Sequence, residues 1–142
     1  MNRLPDWEAR LAAFVAGAWD RPHVWGDHDC ILMACAAVDA MTGVDPAAVY
    51  RGRYNDAKGA ALALRELGHG TLIKTIDAVF PARPLGKAMR GDVVMFRGSA
   101  GIAMGAFGLF VGEESLADAV ATPKREGLVS IPRAMFERAW AV

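Results

Sequence analysis

The apolar positions of this chain change their period near Pro81 and Pro84. Before that point they recur three and four residues apart, the spacing of helix faces. Leu4, Trp7, Leu11, Phe14, Val15 and Ala18 keep it and predict a first helix over about Pro5 to Trp19. Asp20-Arg21-Pro22 breaks the pattern, and a loop carries Trp25-Gly26-Asp27-His28-Asp29. Cys30 to Val38 then runs without a polar side to turn towards water, followed by Asp39 and the stop signal Thr42-Gly43. A helix that is apolar all round is a buried one. Asp45-Pro46 reads as an N-cap with proline at the first position of a short helical turn. Asn55 to Leu67 forms a further helix closed by Gly68, and Thr71 to Phe80 a short fourth one ended by Pro81.

From Gly91 the chain reads as strands: Asp92 to Arg97, Ile102 to Phe107, Leu116 to Ala121, Leu128 to Ile131 and Ala139 to Val142. Helices followed by strands predict an α+β domain in which the Cys30 helix packs centrally against an antiparallel sheet. Leu32, Val38, Val94 and Phe96 belong in that core. The uncharged stretch from Gly98 to Gly112, with glycines alternating three and four apart, resembles a helix-pairing stripe of membranes. It is shorter than the about twenty residues a spanning helix needs, and reads instead as two buried strands joined by a glycine turn. No membrane span is expected. Nor is the N-terminus expected to be a secretory signal, because Asp6, Glu8 and Arg10 interrupt it and its apolar residues are patterned.

Composition sharpens this. The 142 residues suit one domain over 1–142, and 54% hydrophobic against 23% charged residues gives ample material for a core. Sixteen basic and sixteen acidic side chains cancel, so the positive field that gathers nucleic acid is missing. Two cysteines are too few for a disulfide scaffold, and no histidine stands at zinc-ligand spacing from them. No metal site and no cofactor are expected. The sequence has no phosphate-cradling glycine loop with lysine, no His-Glu-x-x-His and no Gly-x-Ser-x-Gly.

Cys30 is the most informative position. It sits at the predicted start of the most buried helix, where unpaired amides and the helix dipole favour thiolate over thiol. Asp29 is the N-cap before it, and Trp25 with Gly26 packs the preceding loop. Cys35 falls mid-helix among apolar neighbours and reads as core. A cysteine nucleophile needs a base, and the histidines are His23, His28 and His69. His28 is near in sequence, His69 would have to arrive through folding, and His23 reads as exposed.

Two segments carry a family resemblance. Asp29-Cys30 with its buried helix, and Gly91-Asp92-Val93-Val94-Met95-Phe96 with Gly101-Ile102-Ala103-Met104-Gly105, resemble the NlpC-type branch of the papain-like cysteine peptidases, which cut bacterial cell-wall peptides. The resemblance implies a papain-like α+β fold, Cys30 at the nucleophile position, and Trp25, Asp29, Gly91, Asp92 and Ser99 shaping the site. Its strand histidine would fall at Ser99, which cannot act as an imidazole, so the resemblance supplies no base. The pattern Trp25-Gly26 to Asp29-Cys30, Arg51-Gly52-Arg53-Tyr54, Arg90-Gly91-Asp92 and Ala139-Trp140-Ala141-Val142 also resembles small proteins encoded by bacteriophages and prophages near their tail genes. That implies phage tail or baseplate partners, and residence in the virion tail or in the host cytoplasm during assembly. The expected function is an assembly or tail-tip module with a degenerate active site. The alternative is an active peptidase or amidase on cell-wall peptides using Cys30 with His28 or His69.

Overall fold

A computed structural model describes residues 1–112 and 126–142. The predicted strand over Leu116 to Ala121 lies outside the described residues. Helices α1 (Trp7–Ala18), α2 (Cys30–Thr42), α3 (Ala57–Leu67) and α4 (Leu72–Asp77) come first in the chain. Strands β1 (Ala82–Arg83), β2 (Val93–Phe96), β3 (Ser99–Ala103), β4 (Phe107–Val111), β5 (Leu128–Pro132) and β6 (Arg138–Trp140) follow. The strands form one antiparallel sheet in the order β1-β6-β2-β3-β4-β5. The α+β expectation therefore holds. None of the described helices is long and apolar enough to cross a membrane.

The caps that hold α2 are those its sequence announces. The Asp29 carboxylate accepts from the Leu32 amide at 3.0 Å, and Gly43 closes the other end in the left-handed region at φ 80°. Between them the helix is buried on two sides. Met33, Ala34, Ala37, Val38 and Met41 meet α1 and the sheet, while Leu32 and Cys35 pack under Ala47, Tyr50 and Tyr54. Leu32, Met33, Val38 and Met41 each contribute about 1.5–3 kcal/mol by leaving water, so α2 is fixed as the hub of the helical layer.

The sheet is apolar on both faces. Val93, Met95, Ala100, Ile102, Leu109 and Val111 join the helices, whereas Val94, Phe96, Ala103 and Phe110 form a second cluster with Ile131, Phe136 and Ala139. Leu32, Val38, Val94 and Phe96 are all buried, yet only Val38 lies between α2 and the sheet. Strand alternation sends Val94 and Phe96 to the far face, and Leu32 points away from the sheet to the loop over residues 45–54.

Several boundaries differ from the sequence expectation. The stretch from Gly98 to Gly112 is β3, a turn and β4, so the strand expected over Ile102 to Phe107 instead crosses the turn. The glycine spacing has a packing cause: a Cβ on Gly101 would stand 2.5 Å from the Leu109 carbonyl oxygen, and one on Gly108 would stand 2.8 Å from the Phe136 ring. α4 stops at Asp77, three residues short of Phe80, and β1 falls between Pro81 and Pro84, where the sequence reads only as a break. β2 and β3 are joined by the two residues Arg97 and Gly98, both at positive φ (47° and 75°), the conformation of a tight hairpin turn matched to sheet twist.

Candidate functional site

The start of α2, α3, α4, the 46–54 loop and the β2–β3 hairpin tip border a half-open cavity of about 350 Å³. Cys30, Asp29, Trp25 and Ser99 all line it. Four of the residues singled out from sequence are thus brought to one place. Cys30 is the first residue of α2 and half-buried, so its side chain stands beside the helix N-terminus and in the cavity wall at once.

Asp29 does not confront the thiol with an unsatisfied charge. One carboxylate oxygen caps α2, and the other accepts from the Gly26 amide at 3.1 Å and from the Tyr54 hydroxyl at 2.5 Å. Burial and this hydrogen bond raise the Tyr54 pKa far above its ordinary value, so the hydroxyl keeps its proton. Gly26 makes the arrangement possible: it holds φ 80°, and a Cβ there would meet the Tyr54 carbonyl oxygen at 1.9 Å. The Gly26 carbonyl in turn accepts from the Gly52 amide at 2.9 Å. Arg51 secures the same loop, donating to both Asp45 carboxylate oxygens (2.7 and 3.2 Å) and to the Leu32 carbonyl at 3.1 Å.

The histidines go elsewhere. His28 closes a two-way backbone pair with Val24 (2.8 and 3.0 Å), and its side chain is buried without lining the cavity. Its Nε2 meets no hydrogen-bond partner among the described residues, and burial lowers its pKa. His69 is exposed between α3 and α4, where its backbone amide donates to Thr75 Oγ1 at 3.1 Å. His23 stands edge-on to Trp25 with ring centroids 4.6 Å apart, outside the lining. Among the described residues, no histidine lines the cavity that holds Cys30.

Gly91 and Asp92 also lie away from it. Asp92 is wholly buried, with Arg3 Nη2 at 3.2 Å and Arg83 Nε at 2.6 Å, and accepts from the Met89 and Val142 amides at 3.0 and 3.2 Å. Gly91, at φ 91°, leaves room for Arg3 and Met41. The Gly-Asp pair is a structural anchor of the sheet.

Tyr54, noted in sequence only within the Arg51-Gly52-Arg53-Tyr54 pattern, lines the cavity, and so do Tyr50 and the α3 face of Ala57, Ala60, Ala61 and Leu64, without any sequence signal for it. Their i, i+3, i+4, i+7 spacing shows an apolar helix face, but sequence gives no sign that this face would meet a cavity. Cys35 lines it too, and burial pushes its thiol pKa up to about 12, which marks it as inert. The two cysteines are not joined in a disulfide, and no cluster suited to a metal ion occurs among the described residues.

No curated protein and no solved structure matches the chain. A family model does, over residues 2–142. By that match, which covers the helical layer, the sheet and the cavity alike, the chain belongs to the family described as a domain of unknown function, DUF6950.

Proposed function

We propose that this chain is a phage or prophage tail-associated protein: an NlpC-like domain that serves as an assembly or tail-tip module and no longer cleaves peptides. The observation that carries the non-catalytic half is the cavity wall. Cys30 shares it with Ser99, the position where the peptidase resemblance expects an imidazole, and with no histidine among the described residues. A thiolate alone can attack an amide but cannot return a proton to the leaving amine, and loss of a positioned acid/base costs typically 100- to 10,000-fold. The tail association rests on the sequence pattern around Trp25-Gly26, Arg51 to Tyr54 and Ala139 to Val142.

The experiment compares wild type, Cys30→Ser and His28→Ala on purified peptidoglycan peptides, alongside mass spectrometry of tails purified from particles of a host that encodes the chain. The expected result is no turnover above background by any of the three, with the protein present in the tail fraction. Robust wild-type cleavage that disappears in both variants would overturn the non-catalytic reading and establish a dyad within the nucleophile loop. Absence from purified tails would overturn the tail reading.

A further inference from the structure

Of the three histidines, His28 alone is buried, with 2% of its surface exposed. Its Nε2 is sealed from water and has no hydrogen-bond partner among the described residues. Protonation would place a charge there, and a buried charge without a partner is costly. The charged and titratable groups that act on the ring, among the described residues, are Arg21, His23, Asp27 and Asp29. Arg21 and His23 oppose protonation. The two carboxylates favour it but are engaged elsewhere. Asp27 pairs with Arg21 at 3.3 Å on the surface, and Asp29 accepts from the Leu32 and Gly26 amides and the Tyr54 hydroxyl. Neither accepts from Nε2.

The same residue closes the loop at the edge of the cavity. The His28 amide donates to the Val24 carbonyl at 2.8 Å, and the His28 carbonyl accepts from the Val24 amide at 3.0 Å. Between these two residues lie Trp25, in the cavity wall, and Gly26, whose carbonyl accepts from the Gly52 amide. Where the ring sits and whether the loop is closed are therefore set at one backbone position. The loop lies between α1 and α2, so it can open without unfolding either helix.

We propose that His28 is an acid-operated latch: its protonation releases the loop over residues 24–28 and lifts Trp25 from the cavity wall, which opens the approach to Cys30. The latch is a property of the loop and depends neither on tail association nor on the loss of peptidase activity. A ring freed to water has the ordinary pKa of about 6.5, whereas burial holds it lower in the closed loop. Acid therefore favours the open loop. Between pH 7.5 and 5.0 the ratio of open to closed loop rises by at most about thirty-fold, the limit in which only the open form takes up the proton.

The test follows amide exchange of the whole chain by NMR, as protection factors, which already correct for the intrinsic effect of pH. From pH 7.5 to 5.0 the Val24 and His28 amides should lose about five- to thirty-fold in protection. At pH 5.0 they should also stay at least about ten-fold less protected than the α2 amides of residues 35–38. His28→Gln, or His28→Asn if circular dichroism shows the first misfolded, should lose less than about two-fold. His69→Gln, altered at an exposed histidine, should behave as wild type. The movement of Trp25 is read as the rate of Cys30 with 2,2′-dipyridyl disulfide, a neutral reagent, relative to N-acetylcysteine. That ratio should rise at least about three-fold over the same interval in wild type and stay level in His28→Gln, and in Trp25→Ala it should be high at both pH values. Unchanged protection in wild type, or an equal fall in His28→Gln, would overturn the latch. So would loop amides as protected as those of α2, since only whole-domain unfolding would then free the ring. Lost protection without a gain in the relative Cys30 rate would overturn the opening of the cavity.

Discussion

Cys30 and Cys35 belong to one helix and occupy opposite chemical situations. Cys30 opens the helix at the cavity wall, whereas Cys35 is enclosed and its thiol pKa is pushed up to about 12. At pH 8 only about one Cys35 thiol in 10,000 is ionised, so alkylation of the native protein should label Cys30 at least about 100-fold faster, as peptide mapping would reveal. Equal rates would mean that Cys30 is as sealed as its neighbour. Ser99 invites the reverse substitution. If position 99 reaches the sulfur, Ser99→His should raise the Cys30 alkylation rate at pH 6 about ten-fold, because an imidazolium beside the thiol favours thiolate; an unchanged rate would break the correspondence with the peptidase strand. His28 has a different consequence. Its folded pKa lies below the ordinary 6.5 through burial, so the unfolded chain takes up the proton first. Stability should be complete above about pH 7 and decline as pH falls through 6.5. Urea midpoints at pH 7.5 and 5.5 should therefore differ more for wild type than for His28→Gln. Cys30 and Asp29 were legible in sequence because capping and helix placement are local. The fate of each histidine was not, because nothing in a loop's sequence says whether a ring turns to a cavity, the interior or water.

Among the elements, α2 shows how local and tertiary signals agree. Its run of apolar residues, its Asp29 cap and its Gly43 stop mark both ends, and the observed helix runs from Cys30 to Thr42, ending at that stop signal. Strand boundaries were less legible. Glycine and small apolar residues fill β3, the turn and β4 alike, and the register is set by the Phe110 and Phe136 rings that lie over Gly101 and Gly108, contacts formed only in the folded sheet. β1 has no signal of its own, since two residues between prolines become a strand only by pairing with Ala139 and Trp140. The Asp29 cap also ties α2 to the Tyr54 loop, so its removal acts on both. Asp29→Ala loses a cap worth about 0.5–2 kcal/mol and strands the Gly26 amide and Tyr54 hydroxyl at about 1–3 kcal/mol. A total loss of about 2–4 kcal/mol in urea unfolding is expected, and a loss below about 1 kcal/mol would show that the Tyr54 loop is held without it.

At the scale of the molecule, Asp92 joins parts of the chain that are far apart in sequence. Arg3, Arg83 and the Val142 amide converge on one buried carboxylate. Removing one member of such a group strands the others, so Asp92→Ala should cost about 3 kcal/mol, and Arg3→Ala less, because Arg83 remains; denaturant midpoints order the two. The α+β class was legible from the change of period near Pro81, but the strand order was not, since pairing between β1 and β6 has no local trace. That order bears on how the protein is made. β6 lies between β1 and β2, so the sheet stays split until residues 138–140 have left the ribosome. Until β6 docks, β1 has no strand partner and one side of β2 stands open. A refolding chain in which β2 to β4 pair before β6 docks presents those bare edges to its neighbours, the kind of surface that draws chains together. How promptly β6 docks between β1 and β2, rather than the stability of the finished domain, would then set its yield.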